Sequence, residues 1–371
     1  MAPFTHLFSC TFSPAYYGFC LGTSDLHCGG PFAFWGMLCQ FFRFLVLRQP
    51  NMCSPSLITM LLVFGSSFSW PGPDTWSSQG HCNGKRQSPI DIVTSSVRHN
   101  PKLGAVTLTG YNDTKKLLEM KNTGKTVDIE LGEGLQLSGP GLPATYTAKA
   151  FHLHWGDGVH KPGSEHYING ERYSMELHIV HTKNNTSLSE ALKDPQGIAV
   201  LAFFVQGYEK AQGKTAEAWE LFKKKLKDVE EKGEETKFDG SFSLQDLLGR
   251  PELDRYYRYP GSLTTPGCDE VVLWTIFADP ILVSEDVVHA FPNELHSTDS
   301  STGPHIENNY RPLQNIGDRK VESSAALKHK SAATIASPPQ ELAEALLVPT
   351  NVTLDGTFTR VSSTAENTHS P

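Results

Sequence analysis

Apolar and polar side chains alternate over short runs along the middle of the chain. In Phe151-His152-Leu153-His154-Trp155 the apolar residues take the odd positions and the histidines the even ones. Met175-Glu176-Leu177-His178-Ile179 repeats the arrangement. A period of two belongs to a strand, whose side chains leave on opposite faces. Strands are predicted over 105–109, 126–131, 149–155, 174–181 and 198–205, most with Gly, Asn, Asp or Pro close by. One stretch, 215–229, carries a helical pattern with Trp219, Leu221, Phe222 and Leu226, and a charged run to Glu235 follows it. The expected fold class is therefore mainly β with surface helices, built on a large central, mostly antiparallel, twisted sheet.

The ends read differently. Residues 70–88 are rich in Gly, Ser and Pro and form an irregular lead-in. After Val321 Ala, Ser, Thr and Pro take over, so 326–371 is expected to be a disordered tail. Its polar end lacks the hydrophobic stretch of a lipid-anchor signal. Residues 57–65 form a short apolar run, and Ser67-Phe68-Ser69 offers small residues at the two positions a signal peptidase inspects. We read 52–69 as a secretory signal peptide, too short to span a bilayer. Residues 1–51 are rich in Phe, Cys and Gly without period, and Arg43 breaks their longest apolar stretch. They are expected to be an artefactual leader ahead of a true start at Met52; an unusual signal anchor is the alternative.

Composition narrows the partners. The chain has 371 residues, 39% hydrophobic and 19% charged, with a net charge of −8 and no basic stripe, which argues against nucleic acid. A single β-rich domain of roughly 250 residues would fit. Five of the seven cysteines precede residue 54, which leaves Cys82 and Cys268 in the rest of the chain. They suggest one disulfide closing a long loop, or two unrelated buried thiols. Asn112, Asn184, Asn185 and Asn351 head glycosylation tripeptides.

The chemistry concentrates on the two histidine strands. His152 and His154 share one face, and His178 joins them if the strands pair antiparallel. Three imidazoles on rigid strands suit Zn2+, with a fourth position left for water. His181 faces away from His178, and His160 and His166 read as ordinary loop histidines. Glu176, on the same face as His178, is placed to accept that ring's second N–H.

The segments Gln87-Ser-Pro-Ile-Asp-Ile92, Phe151-His-Leu-His-Trp-Gly156, Gly163-Ser-Glu-His166, Glu176-Leu-His-Ile-Val-His181, Tyr259-Pro-Gly-Ser-Leu-Thr-Thr-Pro266 and Asn309-Tyr-Arg-Pro312 together resemble the alpha-class carbonic anhydrases. The resemblance covers residues 70–325 and is nearest the extracellular, membrane-anchored branch. It implies a zinc lyase that hydrates carbon dioxide to bicarbonate and a proton. His152, His154 and His178 would hold Zn2+, Thr264 would orient the attacking oxygen by donating to Glu165, and Cys82 would pair with Cys268. Val180, Val200, Leu263, Trp274, Thr264 and Thr265 would line the substrate pocket, with Val272 nearby. The implied protein is extracellular and monomeric; a lipid anchor on the outer plasma membrane would follow only from a different natural C-terminus.

Some positions depart from the family pattern. Lys125 occupies the place where fast members carry a histidine proton shuttle, which implies turnover limited by proton export. Ala150 replaces a glutamine that orients the first zinc histidine, and Thr123 and Asp128 replace asparagines of the polar wall. Two rival functions remain: a catalytically silent binding module of the same fold, and a different zinc hydrolase. The helical His-Glu-x-x-His pattern of the commonest zinc peptidases is absent.

Overall fold

The computed structural model describes residues 76, 78–158, 160–324 and 327. The expected leader (1–51) and signal peptide (52–69), Asn351 and nearly all of the expected tail lie outside the described residues.

A mixed sheet of 13 strands organises the fold. Its centre is three long strands, Tyr146–Trp155, Met175–Lys183 and Ile198–Gly207. These pair antiparallel in chain order. Beyond them Val272–Phe277 pairs parallel with the third, and Tyr256–Gly261 pairs antiparallel with Val272–Phe277. On the other side lie Val127–Leu131 and Leu117–Asn122. The predicted strands are found, mostly longer than the alternation shows. The extension of the first has a local cause. Its register against Met175–Lys183 slips between Ala148 and Ala150, so Lys149 is one residue too many for the pairing. A bulge of this kind reverses the phase of alternation. Tyr146 and Ala148 therefore join Phe151 and Leu153 in one core, though the first pair is even-numbered and the second odd.

The two faces of the sheet have different tasks. Phe151, Leu153, Leu177, Ile179, Leu201 and Phe203, all essentially inaccessible, make one core. The helix Lys214–Leu226 covers it with Trp219, Phe222 and Leu226, spaced for one helical face. Lys223, Lys224 and Lys225 in its last turn complement the helix dipole. Burying a side chain such as Phe222 contributes about 2–3 kcal/mol. On the opposite face a smaller apolar cluster gathers Val200, Phe204, Tyr259, Trp274 and Ile276. The histidines open onto this second face.

The disulfide is formed: Cys82 and Cys268 are bonded, with Cα atoms 4.8 Å apart across 186 residues of sequence. It ties the lead-in to the turn that follows Thr264. Among the described residues no helix is long and apolar enough to cross a membrane.

Candidate metal centre and its cavity

Register creates the triad. His152 lies directly opposite His178 across the central pair of strands, and His154 opposite Glu176. The imidazoles of His152, His154 and His178 converge, with ring centroids 4.6–5.4 Å apart. Their nitrogens form one cluster able to hold a metal ion.

The tautomers are set from outside. His154 donates its Nδ1 proton to the carbonyl of Asn309 at 2.8 Å, which leaves Nε2 as a lone pair. His178 donates from Nε2 to Glu176 Oε1 at 2.6 Å, which leaves Nδ1. These two lone-pair nitrogens face each other at 3.1 Å. Without a cation between them that contact is repulsive. Ligands at about 2.0–2.1 Å in a tetrahedron lie roughly 3.3 Å apart, so the spacing fits Zn2+. Burial, with the neighbouring His178 charge second, lowers His154 to about 3. Burial, then His154 and His178, hold His152 well below its ordinary value. His152 and His154 are thus neutral, as metal ligation requires. Among the described residues His152 makes no side-chain hydrogen bond. Ala150, the position expected to orient it, lies two residues earlier on the same strand and has no donor or acceptor side chain.

Glu176 is wholly buried and also accepts from His166, from the backbone N–H and from Nδ1, both at 2.7 Å. Burial would raise it, but the contacts with His166 and His178 outweigh that and hold it well below the usual carboxylate range. His166 is therefore no ordinary loop histidine. It is fully buried, and its Nε2 meets the Tyr259 hydroxyl at 2.7 Å. His181 indeed points away, to the Tyr111 hydroxyl at 2.5 Å.

Glu165, also in a loop, is fully buried as well. Its loop is pressed onto the end of the His152 strand by two glycines: a Cβ on Gly163 would lie 2.0 Å from the nitrogen of Gly156. Glu165 Oε1 accepts the Arg311 backbone N–H at 2.8 Å. Oε2 lacks a hydrogen-bond partner and lies 3.4 Å from His154 Nε2. Burial raises Glu165 to about 7, against the lowering influence of His178, the Thr264 hydroxyl and the Arg311 N–H.

A small recess beside the triad is lined by His152, His178, Val180, Val200, Leu263, Thr264, Thr265 and Trp274. All six residues expected at the pocket are there; Val272 is buried nearby without lining it. Lys125 is exposed, and its backbone carbonyl accepts from Asn309 Nδ2 at 2.9 Å. Partial burial and the nearby Lys232 charge push its amine below the ordinary value. Asp128 sits opposite His152, and burial, then Glu130, raises it. Thr123 closes a turn with Thr126 instead of facing the recess.

Sequence reasoning did not assign the supports supplied by Asn309, Arg311 and Tyr259. Arg311 joins Gln87 Oε1 at 2.8 Å and the Ser88 carbonyl at 2.9 Å. These residues fall inside the recurring segments, which was the one available signal; their partners are distant in sequence.

Comparison with known proteins agrees with this geometry. The family model for eukaryotic-type carbonic anhydrase matches residues 71–325. The chain is 41% identical over 264 residues to carbonic anhydrase 4 of Oryctolagus cuniculus, covering 70% of this chain and 82% of that protein. It is 38% identical to carbonic anhydrase 6 of Bos taurus over 66% of this chain and 74% of that one. With carbonic anhydrase 12 of Homo sapiens it shares 32% over 76% and 78%. On fold, residues and descent alike, the chain belongs to the eukaryotic-type carbonic anhydrase family.

Proposed function

We propose that this protein is an exported zinc enzyme that interconverts carbon dioxide and bicarbonate. The observation that carries the reading is the pair of lone-pair nitrogens on His154 and His178, 3.1 Å apart, beside a recess with apolar walls. Bound zinc supplies the Lewis acidity that makes water nucleophilic at neutral pH. Held by His152, His154 and His178, the ion would thereby let water add to carbon dioxide to give bicarbonate and a proton.

The residues of the chain do the orienting. Beside a dication the charged form of Glu165 is favoured, and a carboxylate only accepts. The Thr264 hydroxyl then donates its single proton to Glu165, so its oxygen accepts from the attacking water. One lone pair of that water is left facing Val180, Val200 and Trp274, where a nonpolar substrate fits. Glu176 and the Asn309 carbonyl fix the tautomers of His178 and His154. Lys125 limits the return of protons to solvent, because its amine must first lose a proton before it accepts one.

The disulfide supports export, since such bonds persist in oxidising compartments. The exposed positions of Asn112, Asn184 and Asn185 agree with glycosylation there. Monomer formation and a domain spanning 70–325 remain part of the same reading. Stopped-flow hydration of carbon dioxide, with zinc content measured on the same preparation, tests it. Zinc near one equivalent with activity abolished by chelation and restored by zinc is the expected result. Full zinc loading without hydration would leave the silent binding module as the better account.

A further inference from the structure

Away from the metal centre, on the other face of the sheet, the fold buries a cation whose terminal nitrogens it leaves without a hydrogen-bond partner. Arg258 lies in the strand Tyr256–Gly261 and is 4% exposed. Its strand partners are Thr275 on one side and Glu322 on the other. Nε donates to Thr275 Oγ1 at 2.9 Å. Nη1 and Nη2, with four N–H donors between them, are buried and have no hydrogen-bond partner.

The neighbours do not supply one. Glu322 accepts from Asn100 Nδ2 at 2.9 Å and makes no ion pair with Arg258 among the described residues. The Tyr146 and Tyr256 hydroxyls donate to the carbonyls of Gln196 and Gly104. The Tyr256 ring covers the guanidinium at 5.0 Å. The chain also passes close to Nη1 at Gly141, where a Cβ would come within 3.1 Å of it. Gly141 has a φ of +76°, so a side chain there is disfavoured by backbone and space together.

A guanidinium stays charged in proteins, and an unpaired buried charge is costly unless a counter-charge offsets it. We propose that the Nη1 and Nη2 groups of Arg258 bind a small inorganic monoanion, of the chloride or bicarbonate kind, between the sheet and the 139–142 turn. Water would satisfy the N–H groups but not the charge. The carboxylate of Glu322 on the adjoining strand disfavours a dianion. Burial holds the guanidinium below its usual value while Tyr256, Tyr146 and Glu322 act the other way, and a bound anion would add to these. The inference does not depend on the zinc reading, because it concerns the opposite face and needs no turnover.

The test is a bromide soak of crystals of the zinc-loaded protein. An anomalous peak within hydrogen-bond distance of Nη1 and Nη2 is expected. Water alone there at saturating bromide overturns the proposal. A peak displaced by bicarbonate assigns the site to the product anion; one that resists it assigns the site to halide. In solution, exchanging gluconate for chloride at constant ionic strength should raise the Tm by roughly 2–4 °C. That rise should shrink in Arg258→Gln and partly survive in Arg258→Lys. An equal rise in all three proteins would assign it elsewhere and defeat the proposal.

Discussion

Glu176 grips His178 at 2.6 Å through the nitrogen that points away from the ligand cluster. The bond fixes which nitrogen of the ring is free and aims it at His154. Because the carboxylate also takes two hydrogen bonds from His166, it cannot swing away without breaking three contacts at once. Glu176→Ala should therefore lower zinc affinity by about 10–100-fold. Competition with a chelator measures this. Unchanged affinity in a folded variant would remove Glu176 from its orienting role.

Thr264 and Glu165 should act as one unit. Thr264→Ala is expected to reduce kcat/KM by roughly 10²-fold with zinc content unchanged, and Thr264→Ser to recover most of it. Adding Glu165→Gln to Thr264→Ala should cost little more, because the chain of donors is already cut. Two independent, multiplying losses would contradict the proposed hydrogen bond from Thr264 to Glu165.

Proton export gives a prediction of gain. In wild type, added imidazole buffer should raise turnover, since the carrier replaces a missing acceptor. Lys125→His should raise turnover several-fold or more, within the ~10²–10⁴ range typical of positioned proton transfer, and blunt the buffer response. Turnover indifferent to both changes would locate the slow step elsewhere.

The disulfide between Cys82 and Cys268 constrains a loop spanning 186 residues. Replacing Cys268 by Ser should cost about 2–5 kcal/mol in denaturant unfolding. It should also affect activity. The Cys268 backbone N–H bonds the Thr265 carbonyl at 2.9 Å, so the bridge steadies the turn that carries Thr264.

His181 supplies a pH dependence separate from the metal ligands. Burial lowers it from 6.5 to about 4, with partial compensation from the Ala199 and Ile179 carbonyls. The unfolded chain then binds the proton more readily than the folded one between those values. Stability from this residue is complete above pH 6.5 and is lost as pH falls toward 4, by roughly 2–3 kcal/mol. The difference between wild type and His181→Gln in urea unfolding across that interval isolates the effect. A parallel pH dependence in both proteins would refute it.

Much of this molecule is written in local pattern. Alternation alone placed His152, His154, Glu176 and His178 on one face of two strands, because side-chain direction in a strand depends only on position along it. The family resemblance brought in Thr264, Glu165 and the pocket residues, and the recess is lined by every pocket residue so named. What the sequence left open depends on register and on distant chain. Lys149 becomes a bulge only against a particular partner strand. His166 reads locally as an ordinary loop histidine, yet it and Glu165 are fully buried, since Gly156 and Gly163 let the loop close over the sheet. The tautomers of His154 and His178 are fixed by Asn309, 155 residues on in sequence, and by Glu176. No local rule reports such partners, because a hydrogen bond is decided by where two atoms meet in space.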